Sequence, residues 1–196
     1  MLQIRIHGRG GQGVVTAAEM VSIAAFEQGR HAQAFPSFGS ERTGAPVVAF
    51  CRIDDHEIRL REPILAPDVL IVQDATLLHQ VDVFQGLKPD GYVLINSKRS
   101  FDELGLAEIA QRFRRERLLT VPATEIALKH LGRPLPNAVL LGGFSALSGL
   151  ITLAAVAHAI RAKFAGAVAE NNVAAATEAY GVVRKELEGL THAETD

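Results

Sequence analysis

The sequence predicts an α/β fold: a mostly parallel sheet with a β-hairpin insertion and a helical C-terminal part. Three observations carry it. Leu2 to Ile6 reads as a strand, and a glycine-rich turn, His7 to Gly13, joins it to a helical pattern apolar at Val14, Ala17, Ala18, Val21, Ala24 and Ala25. Val69-Leu70-Ile71-Val72 and Tyr92-Val93-Leu94-Ile95-Asn96 are apolar runs of the kind found in parallel strands covered on both faces. From Val139 onward the chain is helical and unusually apolar.

Gly8, Gly10 and Gly13 fit the G-x-G-x-x-G spacing of a Rossmann-like unit. Without side chains the backbone can approach a phosphate, and free N–H groups at the helix start point at its oxygens. The helix dipole and the Arg9 guanidinium add to the attraction. Gly11 and Gln12 complete the turn. The competing reading is a turn that only lets helix and strand pack closely.

The other elements follow in order. The first helix fades near Gln28-Gly29-Arg30, and His31 to Phe35 is a second strand. A nicotinamide-binding unit places an acid about 20 residues past the glycines. Here the first acid in reach is Glu41, inside the next loop, which counts against plain NAD binding. That loop, Pro36 to Pro46, is long and rich in hydroxyls and small residues, and such loops usually carry function. Pro46 to Ile53 and Glu57 to Leu60 read as a β-hairpin, Thr76 to Val83 as a short helix, and Phe101 to Arg117 as a helix with a basic end. After a strand at Leu118 to Val121, Thr124 is the expected cap of a helix from Glu125 to Leu131, and Asn137 the cap of the apolar helix. Asn171 to Leu187 closes the fold. One domain over residues 1–190 is expected, with a frayed tail over 191–196.

Composition narrows the function. Of 196 residues, 20 are basic and 22 acidic, so the chain offers no broad field for nucleic acid or membrane. Arg5 and Arg9 interrupt any leader-like run, and glycines break the apolar stretch 139–159, so a cytoplasmic protein is expected. A single cysteine, Cys51, excludes a thiolate cluster held wholly by this chain. His7, beside the turn, is a candidate base or a structural histidine. The first strand alternates Leu2, Ile4, Ile6 with Gln3, Arg5, His7, which suggests surfaces completed by other chains.

Three stretches together point to a family: Gly8-Arg9-Gly10-Gly11-Gln12-Gly13; the loop Pro36-Ser37-Phe38-Gly39-Ser40-Glu41-Arg42-Thr43-Gly44-Ala45-Pro46; and Val121-Pro122-Ala123-Thr124-Glu125 with Asn137 and Leu141-Gly142. Over nearly its whole length the chain resembles the gamma subunit, or gamma domain, of the thiamine-diphosphate-dependent 2-oxoacid:acceptor oxidoreductases, the pyruvate:ferredoxin oxidoreductase type. The resemblance implies a part of an enzyme that converts a 2-oxoacid and CoA into acyl-CoA and carbon dioxide. It implies thiamine diphosphate and [4Fe-4S] clusters on alpha, beta and ferredoxin-like delta partners, with ferredoxin or NAD as the acceptor. For this chain it implies no catalytic residue and no metal site. Gly8, Arg9, Gly10, Gly11, Gln12 and Gly13 would cradle CoA phosphates, Ser37, Ser40, Glu41 and Arg42 would shape the entrance, and Asn137 would order the apolar helix. Thr43 replaces the second arginine that pyruvate-type loops tend to carry, which leaves room for a bulkier branched or aryl 2-oxoacid. The alternative is a stand-alone Rossmann-type dehydrogenase or flavin protein.

Overall fold

Strand β1 (Leu2–Arg9) lies inside a sheet that places the glycine turn at its carboxyl edge. The computed structural model describes residues 1–37 and 43–193. Among these, β2 (His31–Pro36), β3 (Pro46–Asp54), β4 (Val69–Val72), β5 (Tyr92–Asn96) and β6 (Leu118–Val121) complete a six-stranded sheet of order β2-β3-β1-β4-β5-β6. β1, β4, β5 and β6 are mutually parallel, and β3 runs antiparallel to both β1 and β2. The expected hairpin therefore exists with a different second arm. β2 takes one edge of β3 and β1 the other, so residues 57–60 find no free edge and stay outside the sheet.

Helices α1 (Val14–Glu27), α3 (Ala123–Leu131), α4 (Asn137–Ser148), α5 (Leu153–Lys163) and α6 (Gly166–Ala193) share one core with Ile4, Ile6, Cys51, Ile71, Leu94 and Val121. The expected closing helix is longer than predicted and includes 191–193; the rest of the tail lies outside the described residues. On the other face, Leu70, Val72, Val93, Ile95 and Leu118 meet Leu77, Val83, Phe101 and Leu104. Irregular chain covers this face. The helix expected over 101–117 is interrupted: Ser100 and Glu103 form a reciprocal cap, and after one turn Gly105, at φ 75°, stops it. Only the short α2 (Ala107–Ala110) and a 3₁₀ turn at Arg115–Arg117 follow. A 3₁₀ turn at Ala75–His79 likewise replaces the helix expected to reach Val83.

The polar side of β1 is covered within the chain. Arg5 donates to the carbonyls of Val83 (2.9 Å), Gln85 (2.6 Å) and Ile64 (3.4 Å), and Arg52 donates to that of Glu62 (2.6 Å). The apolar α4 is buried under α6. Neither feature needs another chain. Cys51 is buried, and burial pushes its thiol up to about 12, so it is inert. No helix among the described residues is long and apolar enough to cross a membrane.

Candidate functional site

The glycine turn is built from the end of β1. Gly10 donates to Ala45 O (2.9 Å) and accepts from Gly44 N (3.0 Å), which ties the turn to the approach to β3. Gly11 and Gly13 have φ of 91° and 68°, a region costly for other residues. Gly8 serves packing: a Cβ there would lie 2.5 Å from Val14 Cγ2. Gly13 precedes α1, which no side chain caps. The first N–H groups of α1 thus keep their donor capacity.

Arg9 and Gln12 are held by Asp74, at the carboxyl end of β4. Its Oδ2 accepts from Arg9 Nε (3.1 Å) and Gln12 Nε2 (2.9 Å), and its Oδ1 from Thr76 N (3.0 Å) and Oγ1 (2.6 Å). Arg9 also donates to Gly44 O (3.0 Å), Thr76 Oγ1 (2.7 Å) and Gln80 Oε1 (3.0 Å). Its guanidinium is engaged by the protein and braces the turn. Burial alone would raise the Asp74 pKa, but the hydrogen bonds from Thr76 and Gln12 and the charge of Arg9 hold it below the usual range. Removing one partner leaves the others unsatisfied. Arg9→Ala and Asp74→Ala are each expected to cost about 1–3 kcal/mol, and the double variant no more than the worse single. Additive denaturation free energies would break this account.

A line of amides continues along the strand ends. Gln73 Nε2 donates to Gln12 O (2.9 Å), and Asn96 Nδ2 to Gln73 O (2.8 Å) and Thr124 Oγ1 (2.8 Å). Thr124 is thus no cap: Pro122 precedes α3, and Asn96 Oδ1 accepts the Thr124 N–H (3.1 Å). Nor does Asn137 cap α4. It is the first residue of that helix, after Pro136, and its Nδ2 reaches across to Gly13 O (3.4 Å). Gln73, buried to 1% exposure, keeps Oε1 without a partner.

Two cavities flank the turn. One of about 700 Å³ opens over the strand ends, lined by Gly10, Gly11, Gln12, Gln73, Asp74, Ser97, Lys98, Arg99, Thr124 and Leu135. The other, about 530 Å³, lies beside the start of α1 between Gly11, Gly13, Thr16, Arg133, Leu135, Asn137, Phe164, Val168 and Asn171. Gly11 and Leu135 line both, so the turn sits where they meet. Of the residues expected at the site, Arg9, Gly10, Gly11, Gln12, Gly13 and Asn137 are brought together, with Gly8 beneath them. Ser37 is exposed past the end of β2 and lines neither cavity; Ser40, Glu41 and Arg42 lie outside the described residues. Gln73, Asp74, Asn96 and Arg133 were not expected here. Polar residues at the carboxyl ends of buried strands were the signal for the first three.

The antiparallel β3 separates β2 from β1, so on that side of β1 the next parallel strand does not adjoin the turn. Among the described residues no group of three His, Cys, Asp or Glu side chains could hold a metal. The family model for pyruvate ferredoxin/flavodoxin oxidoreductase matches residues 3–182. The chain belongs to this family. Its relatives identify it as a gamma-type subunit of an oxidoreductase. Pyruvate synthase subunit PorC of Methanosarcina barkeri is 52% identical over 162 residues, 83% of this chain and 86% of that one. The common gamma subunit of pyruvate/ketoisovalerate oxidoreductases of Thermococcus kodakarensis is 47% identical over 182 residues, 92% and 96% of the two chains. The crystal structure of pyruvate oxidoreductase subunit PORC from Thermotoga maritima superposes with a TM-score of 0.76 at 35% identity, covering 92% of this chain and 95% of that one.

Proposed function

We propose that this gamma-type subunit holds CoA at the active-site entrance of a 2-oxoacid:acceptor oxidoreductase. Thiamine diphosphate and [4Fe-4S] clusters reside on alpha, beta and delta companions, and ferredoxin or NAD takes the electrons there. The observation that carries this reading is the uncapped start of α1 at the junction of the two cavities. A long anionic ligand crossing the turn meets free N–H groups at Gly11, Gly13 and the first turn of α1, with Arg133 beside them. Arg9 contributes by fixing the turn, and Asn137 by holding Gly13. The amide-rich cavity suits the polar amides of a pantetheine arm. The substrate is pyruvate or a bulkier 2-oxoacid.

One charge-assisted hydrogen bond to phosphate contributes about 1.5–3 kcal/mol. Arg133→Ala in the assembled enzyme is therefore expected to raise the CoA constant roughly ten- to a hundredfold, with the 2-oxoacid constant unchanged. An unchanged CoA constant in both Arg133→Ala and Gly13→Ala would refute CoA binding at this turn.

A further inference from the structure

We infer that the outer edge of β2 is a strand-addition site, and that an extended segment of a companion subunit occupies it. This rests on the reading that the chain works inside a multisubunit oxidoreductase. β2 is an edge of the sheet. Ser37 N donates to Val48 O (2.8 Å), and the register sets Phe35 opposite Phe50, Gln33 opposite Arg52 and His31 opposite Asp54. Alternation along an antiparallel ladder then gives the inward hydrogen bonds to the odd-numbered residues. Ala32 and Ala34 turn their N–H and C=O groups outward, and no described residue receives them. Pro36 falls in the outward set too, so its missing N–H takes nothing from the pairing with β3.

Exposed edges are ordinarily guarded by charge, a bulge or a covering element. Apart from Pro36 at its carboxyl end, this one has none of these among the described residues. His31–Pro36 contains no Lys, Arg, Asp or Glu, and its register with β3 is unbroken. The opposite edge is guarded: Arg115 Nη1 donates to Leu118 O at the start of β6 (2.9 Å), and α6 packs beside that strand. An open row of main-chain donors and acceptors selects an extended backbone, largely regardless of its sequence. α1 packs on β2, and Phe26, 75% exposed near its end, offers an apolar anchor for that segment.

The test is amide hydrogen exchange and assembly in the co-expressed complex. The Ala32 and Ala34 amides are expected to exchange at least roughly a hundredfold more slowly there than in the chain expressed alone. Ala34→Pro, which removes one outward donor, is expected to weaken retention of the subunit about tenfold or more, and Ala32→Pro to act the same way if the first variant folds poorly. An intact complex whose Ala32 and Ala34 amides exchange fast overturns strand addition while leaving CoA binding standing. Protection already present in a dimer of the chain alone overturns the companion as occupant in favour of a second copy. A chain that joins no complex overturns this inference together with the assembly beneath it.

Discussion

Between pH 6.5 and about 4 the fold is expected to lose roughly 3 kcal/mol of stability, most of it through His7. His7 sits on β1 at 7% exposure, and its Nε2 has no partner. Burial, aided by the nearby Arg5 charge, lowers its pKa from 6.5 to about 4. The unfolded chain therefore takes up a proton below pH 6.5 while the native imidazole stays neutral until about 4. Stability is complete above 6.5 and falls as the pH descends through that window. The depressed carboxylates act elsewhere. Asp54, lowered to about 2 chiefly by its hydrogen bond with the chain amino terminus, and Asp74 both support the fold above the ordinary carboxylate range and lose that effect only below it. Urea midpoints at pH 7, 5.5 and 4.5 should slope steeply for the native chain and little for His7→Leu. An equal slope in both would place the acid sensitivity in other groups. His7 lines neither of the two cavities beside the turn.

The sequence was informative wherever one local rule decided the outcome. The uninterrupted β4 and β5, the strand–turn–α1 unit and the apolar helical region from Val139 onward are set by periodicity and glycine placement, and they form as expected. Competition between elements was not legible. Residues 57–60 have strand composition, but β1 and β2 already occupy both edges of β3. The pattern of 101–117 is helical, but one glycine in the left-handed region divides it. At the site, spacing located the glycine turn but not the partners of its side chains. Arg9 looked like a phosphate ligand because it adjoins the turn. Asp74, 65 residues later, claims its guanidinium, a pairing that only the parallel alignment of β1 with β4 creates. Asn137 and Thr124 are cap-type residues at helix starts, yet each contributes to a contact between segments instead of capping its own helix.

The same substitution is expected to have opposite signs at two helical glycines. At Gly142 in α4, a Cβ would stand 1.9 Å from Ala176 O and 2.7 Å from Ala176 Cα on α6. Both neighbours are backbone, so no rotamer change relieves the overlap; the helices must separate, and α4 against α6 is the centre of the helical layer. Alanine gains about 1 kcal/mol of helix propensity over glycine, while overpacking costs about 1–3 kcal/mol and more where nothing can yield. The overlap wins. Gly142→Ala should lose more than about 3 kcal/mol net, lowering Tm by roughly 6–12 °C for a chain of this size. At Gly181 in α6, an added Cβ meets nothing within 4 Å, so only propensity acts. Gly181→Ala should gain about 1 kcal/mol, or roughly 2–4 °C in Tm. Thermal melts of the two variants decide the matter: equal shifts would show that α4 and α6 do not cross at Gly142, and the tight helical layer beneath the glycine turn would have to be redrawn.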